Sequence, residues 1–165
     1  MSTHFIIQGL NPAPFQPLFA QSDEVLKAKG IRRVIASHSP GFPCRVSLQD
    51  APAGEEVLLF PFDHHATQSP YQASGPIYIR QEVAQWDGKP NEIPPILHHR
   101  ELSVRAYDAK GFMRNATVIK GKEALTTCIQ ELFTEEKVAY LQVHNAAPGC
   151  FNCQVDRVEV LPESR

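Results

Sequence analysis

The chain has 165 residues, 42% of them hydrophobic and 21% charged, which is ordinary globular usage and enough for one core in a single domain, residues 1–165. Sixteen Lys and Arg against 18 Asp and Glu leave a net charge of −2 with no long run of either sign, so no nucleic-acid surface is indicated and a small-molecule partner is expected. No stretch reaches the roughly 18 apolar residues of a membrane span, and residues 1–15 lack the basic start of a secretory signal, so a soluble cytoplasmic protein is expected.

Residues 3–10, THFIIQGL, read as a strand, followed by the proline-rich crossing NPAPFQPLF. SDEVLKAKG carries helix signals in order: Ser22 as N-cap, Asp23 and Glu24 in the first turn, Lys27 and Lys29 in the last, Gly30 just beyond. IRRVIAS predicts a strand, and HSPGFPC is too rich in Pro and Gly to be regular. RVSLQ (45–49) and EEVLLFPF (55–62) flank DAPAG in the pattern of an antiparallel pair. Val57, Leu58, Leu59 and Phe60 are apolar on both faces, which predicts a central, doubly buried strand.

GPIYIR (75–80) is a further strand, and the aperiodic residues 81–100 predict a surface excursion. ELSVRAYD and FMRNATVI make a hairpin around AKG. Residues 122–134 predict a helix, with Ala124, Leu125, Cys128, Ile129, Leu132 and Phe133 on one stripe. KVAYLQVHN and CFNCQVDRVEV are the last strands. About eight short strands and two helices, with hairpins dominating, predict a single-domain α+β fold on a largely antiparallel sheet. The 14 prolines, above the usual share of about 5%, suit strands joined by stiff loops rather than a helical bundle.

Four cysteines are too sparse for a disulfide scaffold, so each is judged by its setting. Cys128 lies in the apolar stripe of the second helix, where a free thiol is a small inert hydrophobe. Cys150 and Cys153 have C-x-x-C spacing, but the alternating residues that follow predict a strand on which the two point to opposite faces, unable to share a metal or a disulfide without a bulge. A hairpin around NAAPG instead sets His144 opposite Cys150, with Cβ atoms about 5 Å apart. That pair suits thiol activation, His144 acting as base while Asn145 and loop N–H groups hold a developing negative charge. The other reading is a small residue in a tight turn, with His144 capping backbone groups. Cys44 precedes Arg45 at the start of a strand, where a cation beside a thiol favours the thiolate. It would form a two-thiol site with Cys150 if both lie at one end of the sheet, and it is equally an ordinary core residue.

The doublets His64–His65 and His98–His99 match no metal-binding spacing and read as solvated loop residues, and no nucleotide, dinucleotide or serine-hydrolase motif occurs, so no metal or cofactor is expected. Arg45, Arg80 and Arg105 lie in or beside strands, where an arginine grips a carboxylate or phosphate in a fork or forms a surface ion pair; Ser74 lies in a polar loop, SPYQASGP.

Four stretches taken together, GFPCRVSL, SPYQASGPIYIR, LSVRAYDAKGFM and YLQVHNAAPGC, resemble an uncharacterised bacterial family catalogued as a domain of unknown function, number 1203, over nearly the whole chain. The resemblance implies a stand-alone bacterial domain of this size with no assigned activity and no established catalytic residues. It includes the run H-N-x-x-x-G-C, here His144, Asn145, Gly149 and Cys150, and leaves Cys153 outside. Two functions are therefore expected. One is a thiol-dependent enzyme with Cys150, His144 and Asn145 as catalytic residues and Cys44, Arg45, Arg80, Arg105 and Ser74 around an anionic small substrate. The other is a non-catalytic small-molecule-binding or protein-interaction domain.

Overall fold

The structure, a computed structural model, describes residues 3–159. In chain order its elements are β1 (Phe5–Ile7), α1 (Asp23–Ala28), β2 (Arg32–Ile35), β3 (Glu56–His65), β4 (Ala73–Arg80), β5 (Glu101–Tyr107), β6 (Met113–Lys120), α2 (Lys122–Leu132), β7 (Tyr140–Asn145) and β8 (Phe151–Arg157). Short 3-10 turns stand at Gln16–Ala20 and Pro95–Leu97. The strands form two antiparallel sheets, one of five strands in the order β1-β8-β7-β5-β6 and one of three in the order β2-β3-β4, which makes the fold α+β.

Alternation along the strands decides which face of the larger sheet is oily. Leu102, Val104 and Ala106 of β5, Leu141 and Val143 of β7, Cys153 and Val155 of β8, and Phe5 and Ile7 of β1 enter one core. Leu125, Cys128 and Ile129 of α2 cover that face. The smaller sheet has its own core, in which Leu58, Ile77 and Ile79 meet Leu26 of α1 and Phe15 and Phe19 before it. As its sequence predicts, α1 starts at Ser22, whose hydroxyl accepts a hydrogen bond from Val25 N.

Two expectations fail. RVSLQ is no strand and does not pair with β3; it is a closed loop in which Arg45, Val46, Ser47 and Leu48 are all buried. Cys44 N donates to Gln49 O at 3.0 Å, Leu48 takes the left-handed conformation at φ 51°, and β3 pairs with β2 and β4 instead. Residues 81–100 are not a surface excursion either, because Ile93, Ile96 and Leu97 enter the main core and Trp86 packs against it. The segment lacks a period because its apolar residues are divided between two cores, Val83 against that of the smaller sheet and Trp86, Ile93, Ile96 and Leu97 at the main one. β3 is the centre of its sheet, with Val57 and Leu58 fully buried, whereas Leu59 and Phe60 are only half-buried.

The polar face of the larger sheet is what positions the site. Ser103, Arg105 and Tyr107 of β5 stand opposite His144, Gln142 and Tyr140 of β7. The end of β3 lies over them: Tyr140 Oη donates to His65 Nε2 at 2.6 Å, and the rings of His64 and His144 meet at 4.8 Å. A polar seam therefore runs between the two sheets.

Leu58 tests the smaller core. Leu58→Ala removes a fully buried side chain near the start of β3, and urea unfolding should show a loss of about 2–5 kcal/mol.

Candidate functional site

Residues 145–151 turn β7 into β8. Asn145 N donates to Cys150 O and Gly149 N donates to Asn145 O, both at 2.9 Å, so Asn145 belongs to the ladder and the turn comprises residues 146–149. Gly149 sits at φ +81°, a conformation that a side chain resists. Further on, Val143 pairs with Cys153 while His144 pairs with Phe151, leaving Asn152 as the extra residue of a β-bulge. The expected register is therefore wrong: His144 faces Phe151, and it is Asn145 that meets Cys150. The physical reason is that the strand runs one residue further into the turn than the proline and glycine suggest.

Cys150 is half-buried, whereas the other three thiols are buried. Asn145 Nδ2 donates to the Cys150 Sγ at 3.1 Å, and the Asn145 amide is oriented by Asn152 Nδ2, which donates to Asn145 Oδ1 at 2.8 Å. The guanidinium of Arg45 is close enough for a strong electrostatic interaction with the same sulfur and lines the same cavity. Arg45 is only 1% exposed, and it donates through Nε to Phe151 O at 2.7 Å and through Nη1 to Pro43 O. Burial lowers the guanidinium pKa from its ordinary value, and the attraction to Cys150 and the hydrogen bond to it are the largest effects in the opposite direction. Among the described residues no carboxylate forms an ion pair with Arg45. The nearby groups able to carry a compensating negative charge are the thiols of Cys150 and, with a weaker pull, Cys44.

Cys150 opens onto a cavity of about 520 Å³, together with Arg45, His64, Ser74, Tyr78 and Asn145, while Pro43, Pro76, Pro148 and Phe151 wall it. A concave, mostly apolar space with a few convergent polar groups is the usual form of a small-molecule site. His64 stacks on Phe151, ring centres 5.4 Å apart and planes 8° from parallel. Its Nδ1 donates to Gln142 Oε1 at 3.0 Å, and Gln142 Nε2 donates back to His64 O at 2.7 Å. Burial lowers the His64 pKa, against the Gln142 hydrogen bond.

His144 is fully buried in the seam and does not line the cavity. Its Nδ1 donates to Gly149 O at 2.9 Å, and Nε2 lies 3.2 Å from the Gln142 amide, so the ring braces the turn from beneath rather than touching the thiol. Burial pulls its pKa down to about 3, outweighing the bond to Gly149.

The ligand-binding candidates divide. Arg45 and Ser74 line the cavity; Cys44, Arg80 and Arg105 do not. Cys44 is buried beside Arg80, whose backbone N–H reaches its sulfur at 3.4 Å. Arg80 lies off this cavity and is held by Glu55 in a fork at 2.5 and 3.0 Å. Arg105 stays on the polar face of β5, its Nε donating to Ser103 Oγ at 3.3 Å. Cys128 and Cys153 are desolvated in the main core, which pushes their pKa values up to about 11 and about 12. Among the described residues no group of three His, Cys, Asp or Glu side chains could hold a metal ion.

The sequence reading passes over Gln142 and takes His64 and His65 for solvated loop residues, whereas both end β3, His64 on the cavity wall and His65 buried. The signal was present in Phe60, Phe62 and His64, which continue one face of β3 to its end.

Fold and site thus define an α+β domain carrying one accessible thiol set between a buried arginine and an asparagine. The chain belongs to the family described as "Protein of unknown function (DUF1203)", whose profile matches residues 41–157. That stretch contains every residue of the site just described. No match was found among the curated proteins or among the solved structures. Among the described residues no helix is long and apolar enough to cross a membrane.

The buried imidazole predicts acid sensitivity with a defined sign. Below its ordinary value of 6.5, His144 in the unfolded chain takes up a proton that the folded chain refuses until about pH 3. Stability is therefore complete above pH 6.5 and falls as the pH drops through that window, by on the order of 4 kcal/mol. His144→Gln should flatten the fall in urea midpoints measured between pH 7 and pH 3.5.

Proposed function

We propose that the cavity is the active site of a thiol-dependent enzyme acting on a small, negatively charged substrate, with Cys150 as nucleophile. The observation that carries this reading is the buried guanidinium of Arg45, which has no carboxylate partner among the described residues and whose strongest opposing electrostatic pull comes from Cys150 on the same cavity. A buried cation there stabilises the negative charge that a sulfur carries when it acts as a nucleophile. Asn145 adds a neutral donor to the same sulfur.

Arg45 gives Nε–H to Phe151 O and one Nη1–H to Pro43 O, which fixes its plane on the cavity wall beside Cys150. Its field makes the cavity favourable to an anion. Asn145, expected to hold a developing negative charge, gives its amide N–H to the sulfur. His144 becomes a brace for the turn, holding the Gly149 carbonyl.

Timed modification with iodoacetamide at neutral pH, resolved by peptide mass spectrometry, tests the reading. Cys150 should react first by a wide margin, with Cys128 and Cys153 modified only on unfolding. Arg45→Met should slow Cys150 by about tenfold or more, the size expected for removing a neighbouring buried cation, and Asn145→Ala by severalfold. Slow labelling of Cys150, at the pace of the buried thiols, would return the cavity to recognition alone.

A further inference from the structure

The second ring on the cavity wall is His64, and its hydrogen bonds fix which nitrogen carries the proton. Gln142 Nε2 donates to the His64 carbonyl, so the amide oxygen must face the ring and accept from Nδ1–H. The proton therefore sits on Nδ1 and the Nε2 lone pair is left uncommitted, with no protein partner among the described residues. His64 lines the same cavity as Cys150 and stacks on the neighbouring Phe151. His144 differs: its Nδ1–H is also given away, to Gly149 O, but the ring has no face on the cavity.

From this geometry we propose, on the footing of the thiol enzyme above, that His64 is the general base for a water and that the substrate is an activated acyl compound, whose leaving group departs as an anion. In the first step the Cys150 thiolate attacks the acyl carbon, a C–S bond forms, and the bond to the leaving group breaks with its electron pair going to that group. His64 has no proton on Nε2 to give, so an amide, whose nitrogen must be protonated to leave, is a poor substrate, while a thiolate, phosphate or phenolate leaves unaided. In the second step His64 Nε2 takes a proton from water as its oxygen attacks the thioester carbon. The C–S bond breaks and its electron pair returns to the sulfur beside Arg45. The carboxylic acid leaves and ionises, and His64 gives its proton to solvent. Burial, which favours the neutral imidazole, supports the role of base.

The test uses the full chain and p-nitrophenyl acetate, whose phenolate needs no protonation. The wild-type protein should release a burst of one equivalent followed by steady turnover, and Cys150→Ser should show neither. His64→Ala should keep the burst, lose at least tenfold in steady rate, accumulate an acetyl group on Cys150 by mass spectrometry, and recover turnover when free imidazole is added. Gln142→Leu leaves the His64 ring in place but releases its Nδ1–H; it should keep the burst and lose turnover severalfold. Wild-type steady rates in both variants overturn the role of His64. No burst from a wild-type protein whose Cys150 still alkylates rapidly overturns the acyl substrate class and leaves the reactive thiol standing, whereas slow alkylation removes the thiol reading and this one with it.

Discussion

A guanidinium taken out of water is the constraint on which the site depends. Removing such a charge from solvent costs several kcal/mol even after relaxation, and the cost is recovered only when every donor is met and an opposite charge stands near. Arg45 gives two of its N–H groups to the carbonyls of Pro43 and Phe151, residues far apart in the chain, and so ties the 43–45 loop to the start of β8. The group with the strongest opposing pull on the guanidinium is Cys150. The same contact therefore holds the turn and prepares the sulfur, and a change at either partner is expected to reach the other.

The surrounding fold serves this contact by keeping two sheets at a polar seam instead of closing one oily core. One face of the five-stranded sheet is given to the main core, and its other face carries Gln142, His144 and Tyr140. Gln142 is the hinge of the seam, because its single amide engages His64 through both polar atoms and lies against His144. Buried amides of this kind are worth keeping only when their partners are met, since an unpaired polar group in a low-dielectric interior is costly. Division of labour between the two histidines follows: one is sealed under the turn and the other looks into the cavity.

Much of the architecture was legible from local pattern. The alternation of Leu102, Val104 and Ala106, the Ser22 cap and the apolar stripe of α2 each follow from nearest-neighbour chemistry. Cys150 and Cys153 are separated as expected, one on the cavity and the other in the main core, although the regular strand assumed between them is broken by the bulge at Asn152. The pairing at the turn was not legible. It depends on whether Asn145 stays in the ladder and on the bulge at Asn152, and both are settled by hydrogen bonds that no spacing rule contains. Nor could the burial of Arg45 be read from RVSLQ, whose pattern fits an exposed strand start, because the loop is closed by contacts with β8 over a hundred residues away. His64 was hidden for a related reason: β3 extends past its proline and carries the histidine into the seam.

The most direct measurement of the central claim is a double-mutant cycle of Arg45→Met and Cys150→Ala, read by urea unfolding at neutral pH. If the buried cation and the sulfur depend on each other, the loss of stability in the double variant should fall short of the sum of the two single losses by about 1 kcal/mol or more. Losses that add to within about 0.5 kcal/mol would contradict the account, since the guanidinium and the thiol would then be independent neighbours.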